Sequence, residues 1–120
     1  MIAHIGTVAV YVDDQQKALE FWTEKAGFAV YRNDLMGPNA SWIEVGPKDT
    51  RSHLVIYPKA MMKNTNELKA SIVFVTENMT DTYETMKKNG VEFTQEPNEM
   101  PWGTFAIFKD NEGNEFVLKG

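Results

Sequence analysis

The chain carries its own pattern twice. Thr7 to Val30, TVAVYVDDQQKALEFWTEKAGFAV, lies without a gap on Ala70 to Phe93, ASIVFVTENMTDTYETMKKNGVEF, at an offset of 63 (70 − 7 = 63). Val10 falls on Val73, Tyr11 on Phe74, Val12 on Val75, Gly27 on Gly90 and Val30 on Phe93. Few residues are identical, but the order is kept: an alternating apolar run, a polar break, a helix-like span, a glycine, another apolar run. Self-similarity at a fixed period dictates architecture. Two copies are too few for a solenoid, so the pattern predicts a duplicated β-α-β unit.

Strand parity and turn chemistry extend each copy. In Ile5 to Val12, Val8, Val10 and Val12 share one face and Thr7, Ala9 and Tyr11 the other. Asp13-Asp14 supplies a helix N-cap, and Gly27 a C-terminal stop. The helix between them is expected to bury Ala18, Leu19, Phe21, Trp22 and Ala26. Strands are predicted at Phe28–Arg32, Ser41–Val45 and Ser52–Tyr57, with Asn33–Ala40 as a turn or mobile loop around Met36-Gly37-Pro38-Asn39. Pro58–Leu68 reads as the connection. The second copy follows with a strand at Ser71–Val75 and a helix marked by Met79, Tyr83 and Met86. A strand at Val91–Thr94, a polar loop at Gln95–Pro101, and strands at Thr104–Phe108 and Glu115–Leu118 complete it.

The expected fold is therefore α+β: two βαβββ modules in one domain, at about residues 4–58 and 69–120, joined by about 59–68. Each helix should cover one face of its module's mixed sheet and leave the other to line a cleft. At 120 residues and 42% apolar content a real core is affordable, and disorder is excluded. The net charge of −5 disfavours a phosphate-backbone binder, so no nucleic-acid partner is expected. The absence of cysteine removes disulfides, thiolate nucleophiles and Cys-ligated zinc. No apolar run approaches the ~20 residues that span a bilayer, and no signal peptide is evident. A cytoplasmic protein without a membrane partner is expected.

Three stretches resemble a known family: TVAVYVDDQQKALEFW…GF, ASIVFVTEN…MKKNGVEF, and PWGTFAIFKDNEGNEFVL, which is similar to a recurrent PWG…DPDGN…EL tail. The family is the vicinal oxygen chelate superfamily, which includes glyoxalase I, extradiol dioxygenases, fosfomycin-resistance enzymes and bleomycin-resistance proteins. The resemblance covers almost the whole chain and is specific for fold rather than activity. It implies a homodimer. It also implies a divalent metal held by one His or Glu from each of four strands. Carried across, those positions are Thr7, Val55, Ala70 and Val117; Val55 maps onto Val117 at an offset of 62 (117 − 55 = 62). Valine and alanine have no lone pair to give, and a threonine hydroxyl is a poor donor beside imidazole or carboxylate. No metal and no cofactor are therefore expected.

Candidate residues remain on the cleft-facing parity. His53, Glu44 and Glu115 are the only plausible acid–base or displaced metal set, and they are weak candidates. The simpler reading, a strand-end histidine and an exposed turn-exit carboxylate, is preferred, because no spacing motif ties them together. His4 precedes the first strand and reads as solvated. Tyr11, Trp42, His53, Tyr57, Phe74 and Trp102 form the candidate ligand-binding set. Aromatic faces there would stack on a flat or cationic guest. Packing or a dimer interface is the alternative, preferred for Phe74 and left open for Trp42 and Trp102.

Three functions are carried forward. The first is a metal-independent binder of a small organic molecule, of the glyoxalase/bleomycin-resistance kind. The second is a lyase, isomerase or dioxygenase with a divalent metal at non-standard ligands. The third is a non-catalytic dimeric module without a pocket, in which Trp42 and Trp102 would be buried.

Overall fold

In the computed structural model, residues 1, 5–61 and 72–120 are described. The chain divides into two compact units, 1–70 and 71–120, each built as β-α-β-β-β. The α+β expectation and the doubled module are observed.

Unit one contains β1 (Thr7–Val12), α1 (Gln15–Glu20) continued by a π-helical turn (Phe21–Lys25), β2 (Ala29–Gly37), β3 (Ala40–Gly46), β4 (His53–Pro58) and a short 3₁₀ turn (Lys59–Met61). Its sheet runs β1-β4-β3-β2; β1 pairs parallel with β4, and the other pairs are antiparallel. Val10, Val12, Ile43, Val45, Leu54 and Ile56 are buried together with Ala18, Phe21 and Trp22 of the helix. Leu19 and Ala26, expected inside, are half-buried. Asp14 caps α1 through the Lys17 amide, and Gly27 leaves the helix at φ 76°, where a Cβ would be strained. Gln15 ties the helix start to the sheet. Its amide donates to the carbonyls of Ser41 (2.7 Å) and Ile56 (2.9 Å) and accepts from the Ser41 amide.

Unit two contains β5 (Val73–Val75), α2 (Met79–Lys88), β6 (Phe93–Met100), β7 (Gly103–Lys109) and β8 (Glu115–Lys119), with sheet order β5-β8-β7-β6. Asn78 caps α2 and Gly90 ends it at φ 91°. The buried Asp110 closes the β7–β8 turn by accepting the amides of Glu112 and Asn114. The acidic tail motif is thus a turn lock.

Two expected loops are strands. The segment expected to be loose, Asn33–Ala40, continues β2 to Gly37 and turns at Pro38-Asn39 into β3. Likewise β6 runs through Gln95–Met100. Pro97 is accommodated where the β6–β7 register shifts between Gln95 and Asn98, so its missing N–H interrupts no regular pair.

The offset of 63 also needs correction. It holds after the helices, where Val30↔Val45 matches Phe93↔Phe108, but not before them. The N-caps Asp14 and Asn78 are 64 apart, as are Val10, paired with Ile56, and Phe74, paired with Leu118. The extra residue of the first copy sits in the π-turn, where the Ala26 amide reaches the Phe21 carbonyl five residues back. A one-residue slip inverts every side chain of a strand. Phe74 therefore corresponds to Val10, not Tyr11. It packs against the buried Phe108 and Phe116, and its assignment to the ligand-facing side is overturned. Val73 and Val75 point the other way and are exposed.

Candidate functional site

The face of the unit-one sheet turned away from the helix carries the site. Strand alternation and the β1–β4 register set Thr7, Ala9 and Tyr11 beside Val55 and Tyr57, and β3 adds Trp42. These six residues line a concavity of about 180 Å³. The Tyr57 ring stands nearly perpendicular to Tyr11 (6.2 Å, 73°) and to Trp42 (6.2 Å, 86°). No hydrogen bond to another described residue engages either phenol. A second depression, about 400 Å³, lies by the β2–β3 turn; its Gln15 amide is already committed to backbone.

Beside the concavity runs a polar chain. The Trp42 indole Nε1–H donates to Glu44 Oε2 (2.6 Å), and His53 Nδ1 lies 3.0 Å from Glu44 Oε1. His53 Nε2 lies 3.0 Å from the Thr50 carbonyl. Both ring nitrogens thus lie within hydrogen-bond reach of an oxygen. Tyr31 stacks on His53 (3.9 Å, 14°), anchored by its O–H to the Pro47 carbonyl, and Arg32 Nη1 stands 3.8 Å from Glu44 Oε2. Glu44 is only 8% exposed. Burial pushes its pKa up, but the Trp42 and His53 hydrogen bonds and the positive charges of His53 and Arg32 outweigh that and leave it below the ordinary 4.5.

A carboxyl with a lowered folded pKa stabilises the fold above its unfolded pKa, and that stabilisation is lost as pH falls through the folded value. Glu44→Gln keeps the shape but removes the carboxylate charge that Trp42, His53 and Arg32 face. At pH 7 it is expected to cost about 1.5–3 kcal/mol. The gap between wild type and variant should narrow as pH falls below 4.5, measured by urea unfolding along a pH series. A constant gap would show that the Glu44 charge carries none of the difference.

The structure brings Tyr11, Trp42 and Tyr57 together and sets His53 on Glu44. Glu115, in unit two, is exposed at the start of β8 opposite Lys109. Trp102, also in unit two, is 69% exposed in the β6–β7 turn. Neither Trp42 nor Trp102 is buried as a pocketless module would require. His4 and Ala70 lie outside the described residues, as does Ser71, onto which the 64-residue offset carries Thr7. Sequence reasoning missed Tyr31, Arg32 and Thr50. Arg32 was within reach, because it faces Glu44 across the β2–β3 hairpin with opposite charge.

The model of the Glyoxalase/Bleomycin resistance protein/Dioxygenase superfamily matches residues 2–118. The chain belongs to that superfamily. Within it, the chain is 63% identical over 119 residues to the uncharacterised protein YetH of Bacillus subtilis (strain 168), covering 99% of each. It is 35% identical to the solved structure of UcmS2, covering 99% of this chain and 98% of that one, at a TM-score of 0.86. It is 29% identical to TnmS3, an antibiotic binding protein from Streptomyces sp. CB03234, covering 98% and 95%, at a TM-score of 0.82.

At the described positions that resemble the superfamily's metal ligands, Thr7, Val55 and Val117, the side chains offer one hydroxyl and no imidazole or carboxylate. Thr7 and Val55 line the concavity itself, Thr7 with a hydroxyl and Val55 with no donor, and Val117 is half-buried on β8. Among the described residues no group of three or more His, Cys, Asp or Glu could hold a metal ion. Glu44 and His53 are a pair whose four polar atoms are already engaged. No described helix is long and apolar enough to cross a membrane.

Proposed function

We propose that this protein binds a small organic molecule without a metal, using the concavity of unit one to sequester or carry it. One observation supports this above the others: the positions that resemble the family's metal ligands, Thr7 and Val55, share a concavity with three aromatic side chains. Where the metal-dependent relatives would present donors to an ion, this chain presents a hydroxyl, aliphatic surface and ring faces, which suit stacking. The similarity to an antibiotic binding protein agrees with such a role. At about 180 Å³ the concavity is smaller than the ~300–1,000 Å³ of drug-sized sites, so it takes a ring or a headgroup. A homodimer in the cytoplasm completes the proposal, and light scattering on the purified protein measures the first part of that.

Chelator-treated protein titrated with zinc, nickel, manganese and iron(II) is expected to take up no stoichiometric metal. Tight uptake that disappears in His53→Ala would overturn the proposal and favour the metal-dependent lyase or dioxygenase reading. A screen of planar organic compounds by tryptophan fluorescence should give quenching that is lost in Trp42→Phe and kept in Trp102→Phe.

A further inference from the structure

We propose that the concavity lined by Tyr11, Trp42 and Tyr57 takes an organic cation, an alkylated ammonium group, held against the three aromatic rings. This rests on the reading of that concavity as a ligand site and adds the chemistry of its guest.

The ring geometry comes first. Tyr57 stands at 73° to Tyr11 and at 86° to Trp42, so the walls meet nearly at right angles rather than in parallel. Parallel walls would clamp a flat ring. Orthogonal walls surround a compact, roughly spherical group. The volume, about 180 Å³, suits such a group and excludes a large ligand.

The lining chemistry selects the charge. Thr7, Ala9, Tyr11, Trp42, Val55 and Tyr57 include no lysine, arginine or histidine to repel a cation or hold an anion. Ring faces carry negative quadrupole density, which attracts cations and repels anions. The lining also lacks carboxylates, and the Thr7 hydroxyl and two phenols are too few to replace the water shell of a primary ammonium. An alkylated ammonium presents its charge on methyl or methylene surface and needs no such replacement. The net charge of −5 favours approach of a cation.

Glu44 acts through Trp42. Its carboxylate accepts the indole N–H at 2.6 Å, which fixes the ring's orientation and moves electron density into it. Arg32 also stands 3.8 Å from that oxygen, Oε2, and His53 lies on the other, Oε1, so the carboxylate is engaged by these neighbours rather than offered to a guest. Glu44 is therefore a positioning residue.

The test compares choline with 3,3-dimethylbutan-1-ol, which has the same shape with carbon in place of the charged nitrogen. Binding is followed at constant ionic strength by chemical-shift changes of the Ala9 and Val55 backbone amides, which every variant keeps. Choline is expected to bind at least about tenfold more tightly than the alcohol. That preference should vanish in Trp42→Leu and Tyr57→Leu, fall in Glu44→Gln, survive in Tyr57→Phe, which keeps the ring face, and be untouched in Trp102→Phe. Circular dichroism confirms that each variant is folded, and the wild-type comparison stands if a leucine variant is not. Equal binding of both probes overturns the cation proposal and leaves the ligand site standing. Failure of choline where a neutral planar compound shifts the same amides does the same. Failure of choline, the alcohol and the planar compounds alike overturns both.

Discussion

Trp22→Ala is expected to cost about 3–5 kcal/mol of stability, the range for emptying a large aromatic site in a packed core. Trp22 is fully buried, edge-on to Phe21 (5.1 Å) and stacked on Phe28 (5.2 Å). It stands in the π-helical turn, so it holds both the core and the phase of the chain entering β2. Domains are stable by about 5–15 kcal/mol, so this single change removes a large part of the total. Trp102→Ala, at an exposed turn, should shift stability by no more than about 0.5 kcal/mol. Urea unfolding of the two variants checks the contrast, with Trp22→Phe as the milder replacement. Equal losses would mean that the helix does not pack as described.

The second large effect separates the two offsets of the repeat. Phe74→Ala should cost about 2–4 kcal/mol, because its half-buried ring lies against two fully packed core rings, Phe108 (6.0 Å) and Phe116 (5.8 Å). Tyr11→Ala should cost only about 1 kcal/mol, since Tyr11 is half-buried with Tyr57 as its ring partner on the open face. Under an uninterrupted 63-residue repeat the two positions are equivalent and their costs match. Chemical denaturation of both variants in the same buffer decides it.

The duplication was legible because both copies obey the same physics: alternation for strands, polar caps, glycine where φ is positive. The slip was not. A π-turn inserts one residue without disturbing the apolar spacing on either side, so Phe21 and Trp22 read as an ordinary helical stripe. Pro38 and Pro97 misled for another reason. Proline and glycine mark breaks, but Pro38 is the tip of a tight hairpin and Pro97 sits at a register shift, so both strands run longer than the breakers suggested. For the site, parity placed Tyr11, Trp42 and Tyr57 on one face. It also put Glu44 and His53 on that face, but not their partners. The Tyr31 stack depends on the register shift between Val30 and Arg32, and the Thr50 carbonyl on the path of the β3–β4 turn, and no periodicity encodes either.

The parallel pairs β1–β4 and β5–β8 bear on how the chain reaches this structure. The hairpins β2–β3 and β6–β7 join strands across a few residues and close locally. Thr7, by contrast, meets His53 across 46 positions (53 − 7 = 46), and Val73 meets Val117 across 44 (117 − 73 = 44). Such pairing requires chain closure before any contact rewards it. Each unit is therefore expected to assemble from its hairpin outward, with β1 and β5 docking last. The concavity needs β1 for three of its six lining residues, so it is complete only once that strand has docked, and under the proposed function a ligand would be linked to that step of folding by mass action.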